Sequence, residues 1–185
     1  MIYFTSDLHF FHDREFIYLP RGFKSELEMR EYYVKMWNDT VTNEDDVYML
    51  GDFCLGQRFE DIKELITSLK GKIHLVIGNH DTDMKIKLYE TLDNVVEIRD
   101  VIPRFKYDKF RFYLSHYPTI TSNLESNISE CVINLHGHIH SKVKFYEDRP
   151  YMLNISVDAQ ENKIVSIDYV IKQIQEKVKE CMEFL

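Results

Sequence analysis

Five short apolar runs in this chain end in side chains of the kind that hold metal ions. Ile2-Tyr3-Phe4-Thr5-Ser6 runs into Asp7-Leu8-His9, and Val47-Tyr48-Met49-Leu50-Gly51 into Asp52. His74-Leu75-Val76-Ile77-Gly78 leads to Asn79-His80-Asp81, and Phe112-Tyr113-Leu114-Ser115 to His116. Val132-Ile133-Asn134-Leu135 leads to His136-Gly137-His138-Ile139-His140. Apolar runs of this length, bounded by turn residues, read as buried strands. In open α/β sheets the site lies just beyond the carboxyl ends of the strands. The repeated pattern therefore predicts that Asp, His and Asn side chains gather along one edge as a polynuclear metal site.

The first half of the chain alternates strand and helix. Ser25, with Glu28 three residues on, reads as a capping box opening a helix to about Asn38, with Leu27, Val34 and Trp37 on one face. Phe59, Ile62, Leu65, Ile66 and Leu69 repeat at the helical period, and Gly71 reads as the C′ stop. A short helix near Asp83–Leu92 follows the third strand. From Asn94 the texture turns to strands: Val95–Ile98, Val101–Lys106, Lys109–Ser115, Val132–His136, Tyr151–Val157 and Ile164–Ile167, with a hairpin turn at Tyr107-Asp108. A βαβα half joined to a β-rich half is an α/β sandwich of two packed sheets with helices outside. The tail, Asp168 to Leu185, reads as a helix whose face of Ile171, Ile174, Val178, Met182 and Leu185 packs on its own sheet or, alternatively, makes a homodimer contact. Three irregular stretches, His12–Lys24, Thr119–Ser129 and Ser141–Arg149, each follow a ligand cluster and are candidate walls of the site.

A length of 185 residues suits one domain, residues 1–185. The net charge of −8 argues against duplex nucleic acid as a partner, since such surfaces are normally basic. An anionic substrate remains compatible, because two divalent cations would add four local positive charges that Asp7 and Asp52 only half cancel. Cys54, Cys131 and Cys181 are odd in number with no C-x-x-C spacing, as expected of reduced thiols. With no signal-like start and no apolar stretch long enough to span a bilayer, the expectation is a cytoplasmic protein with no membrane partner.

Asp7-x-His9 and His138-x-His140 share a spacing that, in extended chain, points both side chains to one side. Imidazoles, carboxylates and an amide oxygen without thiolate suit Mn²⁺ first, with Fe, Co, Ni or Zn as alternatives. A carboxylate such as Asp52 can bridge two ions. Glycines 51, 78 and 137 immediately precede these residues, where a missing Cβ lets strand ends approach closely.

The ordered set D-x-H, G-D, G-N-H-D, H and G-H-x-H resembles the calcineurin-like metallophosphoesterase superfamily, from Asp7 to His140. The resemblance implies a four-layer αββα sandwich of two mixed sheets with outer helices, and a centre of two divalent metal ions. One metal would be held by Asp7, His9, Asp52 and His140, the other by Asp52, Asn79, His116 and His138. It also implies a hydrolase acting on phosphoric esters, with a metal-bridging hydroxide as nucleophile. His80, next to Asn79, is the candidate general acid, with Asp81 orienting its ring.

His12, Arg14 and Arg21 are candidate substrate contacts. His136 lies in phase with His138 and His140 but outside the family pattern, and reads as structural or ligand-orienting; His74 reads as structural. Gly51-Asp52-Phe53-Cys54-Leu55-Gly56-Gln57 departs from the G-D-x-x-D-R-G of the Ser/Thr protein phosphatases of this superfamily, and the length leaves no room for a nuclease capping domain. The chain resembles the small single-domain members, so small phosphodiesters, nucleotide-derived ones among them, are the expected substrates, with phosphomonoesters second. A non-catalytic scaffold is the alternative of another class; the intact ligand set and His80-Asp81 argue against it.

Overall fold

The structure, a computed structural model, describes residues 1–56, 58–122 and 131–183. Four parallel strands begin the larger sheet: β1 (Ile2–Thr5), β2 (Asp46–Met49), β3 (Lys72–Val76) and β4 (Val95–Arg99). With β9 (Val165–Ser166) antiparallel beside β1, the order is β4-β3-β2-β1-β9. The smaller sheet, β5-β6-β7-β8, has β5 (Val101–Tyr107) antiparallel to β6 (Phe110–Ser115), and β7 (Ile133–His136) and β8 (Met152–Asn154) parallel to it. This is the expected sandwich of two mixed sheets with helices.

Side chains of the large sheet alternate between two cores, as the period of a strand requires. Val47, Met49, Ile73 and Leu75 face the helices α2 (Glu26–Thr40), α3 (Phe59–Thr67) and α4 (Asp83–Tyr89), meeting Met29, Tyr33, Trp37, Ile62, Leu65 and Tyr89. Phe4, Leu50 and Val76 face the smaller sheet, meeting Phe112, Leu114, Leu135 and Leu153. Ile167, Val170 and Ile174 of α5 (Ile167–Glu183) join that second cluster, so α5 packs on its own domain. Leu185 and the side chain of Met182 lie outside the described residues. No disulfide joins Cys54, Cys131 and Cys181.

Several local expectations shift. Ser25 caps α2 by accepting from Glu28 N–H at 3.1 Å, but the Glu28 carboxylate takes Lys24 N–H at 2.6 Å, one residue outside the reciprocal box. Leu27 is exposed; the buried face is Met29, Tyr33 and Trp37, in i, i+4 steps. Gly71 has φ +88°, yet it lies beyond Ser68, where α3 is capped, and turns the chain into β3 instead of stopping the helix. The β5–β6 turn falls one residue later than expected, at Asp108-Lys109, with Asp108 at φ 50°. A one-turn helix, α1 (Glu15–Tyr18), and a 3₁₀ turn at Tyr146–Asp148 punctuate stretches expected to be irregular, while residues 123–129 of the remaining one, Thr119–Ser129, lie outside the described residues.

The parallel register sends β1, β2 and β3 out at one end of their sheet, and β6, β7 and β8 out at one end of theirs. A bridge between Ser6 and Ser156, just past β1 and β8, joins the two sheets there. All five polar clusters emerge at that junction.

Candidate metal centre

The backbone at the junction is folded against its own preference. Asp7, His9, Asp52, His138 and His140 have φ of 59°, 52°, 57°, 71° and 42°. Left-handed conformations cost non-glycine residues on the order of 1 kcal/mol or more each and persist only where the surroundings over-determine them. Here they do. Asp7 N–H donates to Gly51 O at 3.0 Å and His9 N–H to Asp52 O at 3.1 Å, so the exits of β1 and β2 run together. The Asp81 carboxylate accepts from Asp52 N–H and Gly78 N–H at 2.9 Å each and from Phe53 N–H at 3.3 Å, tying the exits of β2 and β3. The Asp7 carboxylate accepts from Ser6 Oγ at 2.6 Å and from His138 N–H at 3.0 Å, reaching the exit of β7. A Cβ on Gly137 would sit 2.0 Å from Ser6 Oγ, and one on Gly78 2.4 Å from Asp52 N, so these approaches require glycine.

The ligand atoms of Asp7, His9, Asp52 and His140 all fall within 4.8 Å of one another, a group able to hold a metal ion. Beside it, Asn79 Oδ1 lies 2.9 Å from both His116 Nε2 and His138 Nδ1, and His116 Nε2 lies 3.6 Å from Asp52 Oδ2. Asp52 Oδ2 is also 3.5 Å from His9 Nε2, so one carboxylate faces both groups. Asn79, His116 and His138 thus lie beside the group of Asp7, His9, Asp52 and His140, with Asp52 facing both.

The donor chemistry fits cations. His116 Nδ1 donates to Leu50 O at 2.9 Å, which in the neutral tautomer aims the Nε2 lone pair at two acceptors, Asn79 Oδ1 and Asp52 Oδ2. His140 Nδ1 donates to Asp158 Oδ2 at 2.9 Å, so in the neutral tautomer its Nε2 lone pair faces His9 Nε2 at 3.0 Å. Lone pairs converging on lone pairs are reconciled by a positive ion between them. Burial holds His9 neutral, with His140 and Arg21 adding to the effect, and burial likewise lowers the pKa of His138. Burial raises the Asp7 carboxyl, which nearby His116 and His140 oppose.

Residues 1–176 match the model of the calcineurin-like phosphoesterase superfamily domain. The chain belongs to that superfamily. An uncharacterized protein of Methanocaldococcus jannaschii is 32% identical over 94% of this chain and 91% of its own length. The Gene 66 protein of Mycobacterium phage D29 is 25% identical over 95% and 96%. The crystal structure of a protein of unknown function from Aquifex aeolicus aligns with TM-score 0.69 and 27% identity, covering 93% of this chain and 98% of that one. This calcineurin-like phosphoesterase thus carries a cluster able to hold a metal ion, in keeping with a metallophosphoesterase.

Two sequence expectations are corrected. Among the described residues, no hydrogen bond joins the Asp81 carboxylate to the His80 ring. Its oxygens take backbone N–H groups and the Tyr89 hydroxyl, so Asp81 holds the loop that carries Asp52. Burial, opposed by those N–H groups, raises the Asp81 pKa to about 6. Arg21 is buried: its guanidinium pairs with Asp158 at 2.7 and 2.9 Å and donates to Asp7 O at 2.9 Å, which leaves it supporting the site from behind. Arg14 is exposed at the start of α1.

His80 is half-exposed, with Nε2 3.9 Å from Asp52 Oδ2 and its main-chain N–H donating to Asp52 Oδ1 at 2.9 Å. His12 Nδ1 lies 3.3 Å from His9 Nδ1, and its ring meets Phe16 edge-on at 5.6 Å. His136 is buried against Tyr146, its Nδ1 3.0 Å from Gly137 O, and burial lowers its pKa to about 4. His74 stacks on Tyr48 between Asp46 and Glu97, a structural role. Sequence reasoning missed Asp158, Ser6 and Tyr117, whose ring lies 4.6 Å from that of His138. For Asp158 the signal was present: a sixth apolar run, Tyr151–Val157, ends in it without a histidine.

Proposed function

We propose that this protein is a metal-dependent phosphodiesterase for small phosphodiesters. Asp7, His9, Asp52 and His140 would hold one divalent cation, Mn²⁺ first among the candidates, and Asp52, Asn79, His116 and His138 a second. Bound there, the two cations would supply a water of lowered pKa and positive charge for phosphate oxygens.

The observation that carries the diester reading is the cavity of about 480 Å³ in front of the cluster. It is lined by His9, His12, His80 and His140, by Phe16, Ile17 and Pro20, and by Asp158, with no Lys or Arg among its described lining residues. A monoester dianion would meet no fixed cationic side chain there, whereas a singly charged diester has a second ester group for the apolar wall to cover. His80, half in solvent with Nε2 3.9 Å from Asp52 Oδ2, would give a proton to the leaving oxygen. His12 is within reach of the other ester group, and Phe16 offers a ring face to a planar substituent.

The test compares Mn²⁺-reconstituted protein on bis(p-nitrophenyl) phosphate, p-nitrophenyl phosphate and a 2′,3′-cyclic nucleotide, with Asp52→Asn as control. A higher kcat/KM for the diesters, abolished in Asp52→Asn, is expected. A higher value for the monoester would replace this reading with a phosphomonoesterase, and no turnover of any ester would favour a scaffold.

A further inference from the structure

We infer that Arg21 and Asp158 are positioning residues that prebuild one half of the metal centre, so that the Asp7/His9/Asp52/His140 half takes its cation first and more tightly than the Asn79/His116/His138 half. The inference rests on reading the cluster as a two-cation centre and says how its halves differ.

Asp158 stands directly behind His140, its Oδ2 accepting from Nδ1 at 2.9 Å. A carboxylate in that place fixes the imidazole tautomer and orientation and raises the basicity of the nitrogen facing the ion. Asp158 is itself fixed, because Arg21 Nε donates to Oδ1 at 2.9 Å and Arg21 Nη2 to Oδ2 at 2.7 Å. The same Nη2 donates to Asp7 O at 2.9 Å, and Nη1 to Leu8 O at 3.4 Å. One guanidinium thus locks the strained turn Asp7–His9 to the loop after β8. The Arg21 side chain is 1% exposed, and its backbone is held as well: Asn162 Nδ2 donates to Arg21 O at 2.9 Å, and Tyr33 Oη to Asn162 Oδ1 at 2.8 Å. The brace reaches from α2 to the ligand.

The other half has no such support among the described residues. Asn79 is exposed, and its Oδ1 contacts only His116 and His138, fellow ligands. His116 is steadied by the main-chain oxygen of Leu50, a neutral acceptor. Charge points the same way. Asp7 and Asp52 both offer an oxygen to the braced half, while among the described residues the carboxylate oxygen within 4 Å of a ligand nitrogen of the other half is that of Asp52, with Asp7 held against the His138 main chain. A cation gains more where more fixed negative charge surrounds it.

Mn²⁺ titration of the apoprotein, followed by electron paramagnetic resonance of free Mn²⁺, should show two steps. Asp158→Asn, nearly isosteric, should weaken the tighter step about 10–100-fold and leave the weaker within about twofold. A purely structural defect would weaken both together, and either that or an unchanged tight step would overturn the inference. Because Asp158→Asn leaves Arg21 half-paired, a wild-type measurement accompanies it: paramagnetic broadening of histidine ring signals at half an equivalent of Co²⁺. His9 and His140 should broaden before His116 and His138, and the reverse order would overturn the inference alone. Wild-type protein binding no Mn²⁺ would overturn the two-cation reading, and this inference with it.

Discussion

Gly78→Ala tests whether the approach of strand ends, not merely the presence of ligands, builds the centre. A methyl group at Gly78 would lie 2.3 Å from Asp52 Oδ1 and 2.4 Å from Asp52 N. Non-bonded heavy atoms rest roughly 3.5 Å apart, so the exits of β2 and β3 must part by about 1 Å. The obstacle is main chain, which no side-chain rotation relieves. Overpacking of this kind costs about 1–3 kcal/mol. Parting the loops also strains the bond from Gly78 N–H to Asp81 and that from His80 N–H to Asp52, both 2.9 Å. Losing one hydrogen bond to a charged group adds about 1.5–3 kcal/mol. The sum, about 2.5–6 kcal/mol, corresponds to a fall in Tm of roughly 5–24 °C for a chain of this size. Thermal unfolding by far-ultraviolet circular dichroism gives the shift, and Mn²⁺ stoichiometry on the folded fraction should fall because Asp52 moves. A variant within about 2 °C of wild type and with full Mn²⁺ uptake would refute this steric reasoning.

His80→Asn should retain metal but lose about 10²–10⁴-fold in kcat on alkyl diesters, with much smaller losses on p-nitrophenyl esters, whose leaving group needs no proton. Equal losses on both would remove His80 from the general-acid role. Asp81→Asn should instead lower kcat by the same factor for good and poor leaving groups and weaken Mn²⁺ binding, since it acts through the Asp52 loop. A leaving-group dependence like that of His80→Asn would restore the ring-orienting role. Asp45, bonded to the terminal ammonium at 2.5 Å and to Thr42 N–H, has its pKa lowered to about 2. Because the folded value lies below the unfolded one of about 3.9, the stability it adds is full above that pH and lost as pH falls toward the folded value. The urea midpoint advantage of wild type over Asp45→Asn should therefore shrink on acidification below about pH 4; an advantage that grew would contradict the linkage.

The parts of this molecule legible in its sequence are those where one residue suffices. Strand runs ending in Asp, His or Asn carried the strands of the site and the seven candidate ligands, because a short apolar run fixes both burial and the direction in which its last residue emerges. Roles that depend on contacts between distant segments were not legible. Arg21 looked like a loop cation, but only the folded chain brings it to Asp158, 137 positions away. Asp81 looked like a partner for its neighbour His80, whereas the turn points its carboxylate back to Gly78, Asp52 and Phe53. Leu27 fitted a helical stripe, yet Met29, Tyr33 and Trp37 won the buried face by volume.

The most direct measurement is anomalous diffraction at the manganese edge from Mn²⁺-soaked crystals. Two peaks are expected, one among Asp7, His9 and His140 and one among Asn79, His116 and His138, with the Asp52 carboxylate between them. A single peak, or peaks away from Asp52, would contradict the shared two-cation centre on which the proposed hydrolysis depends.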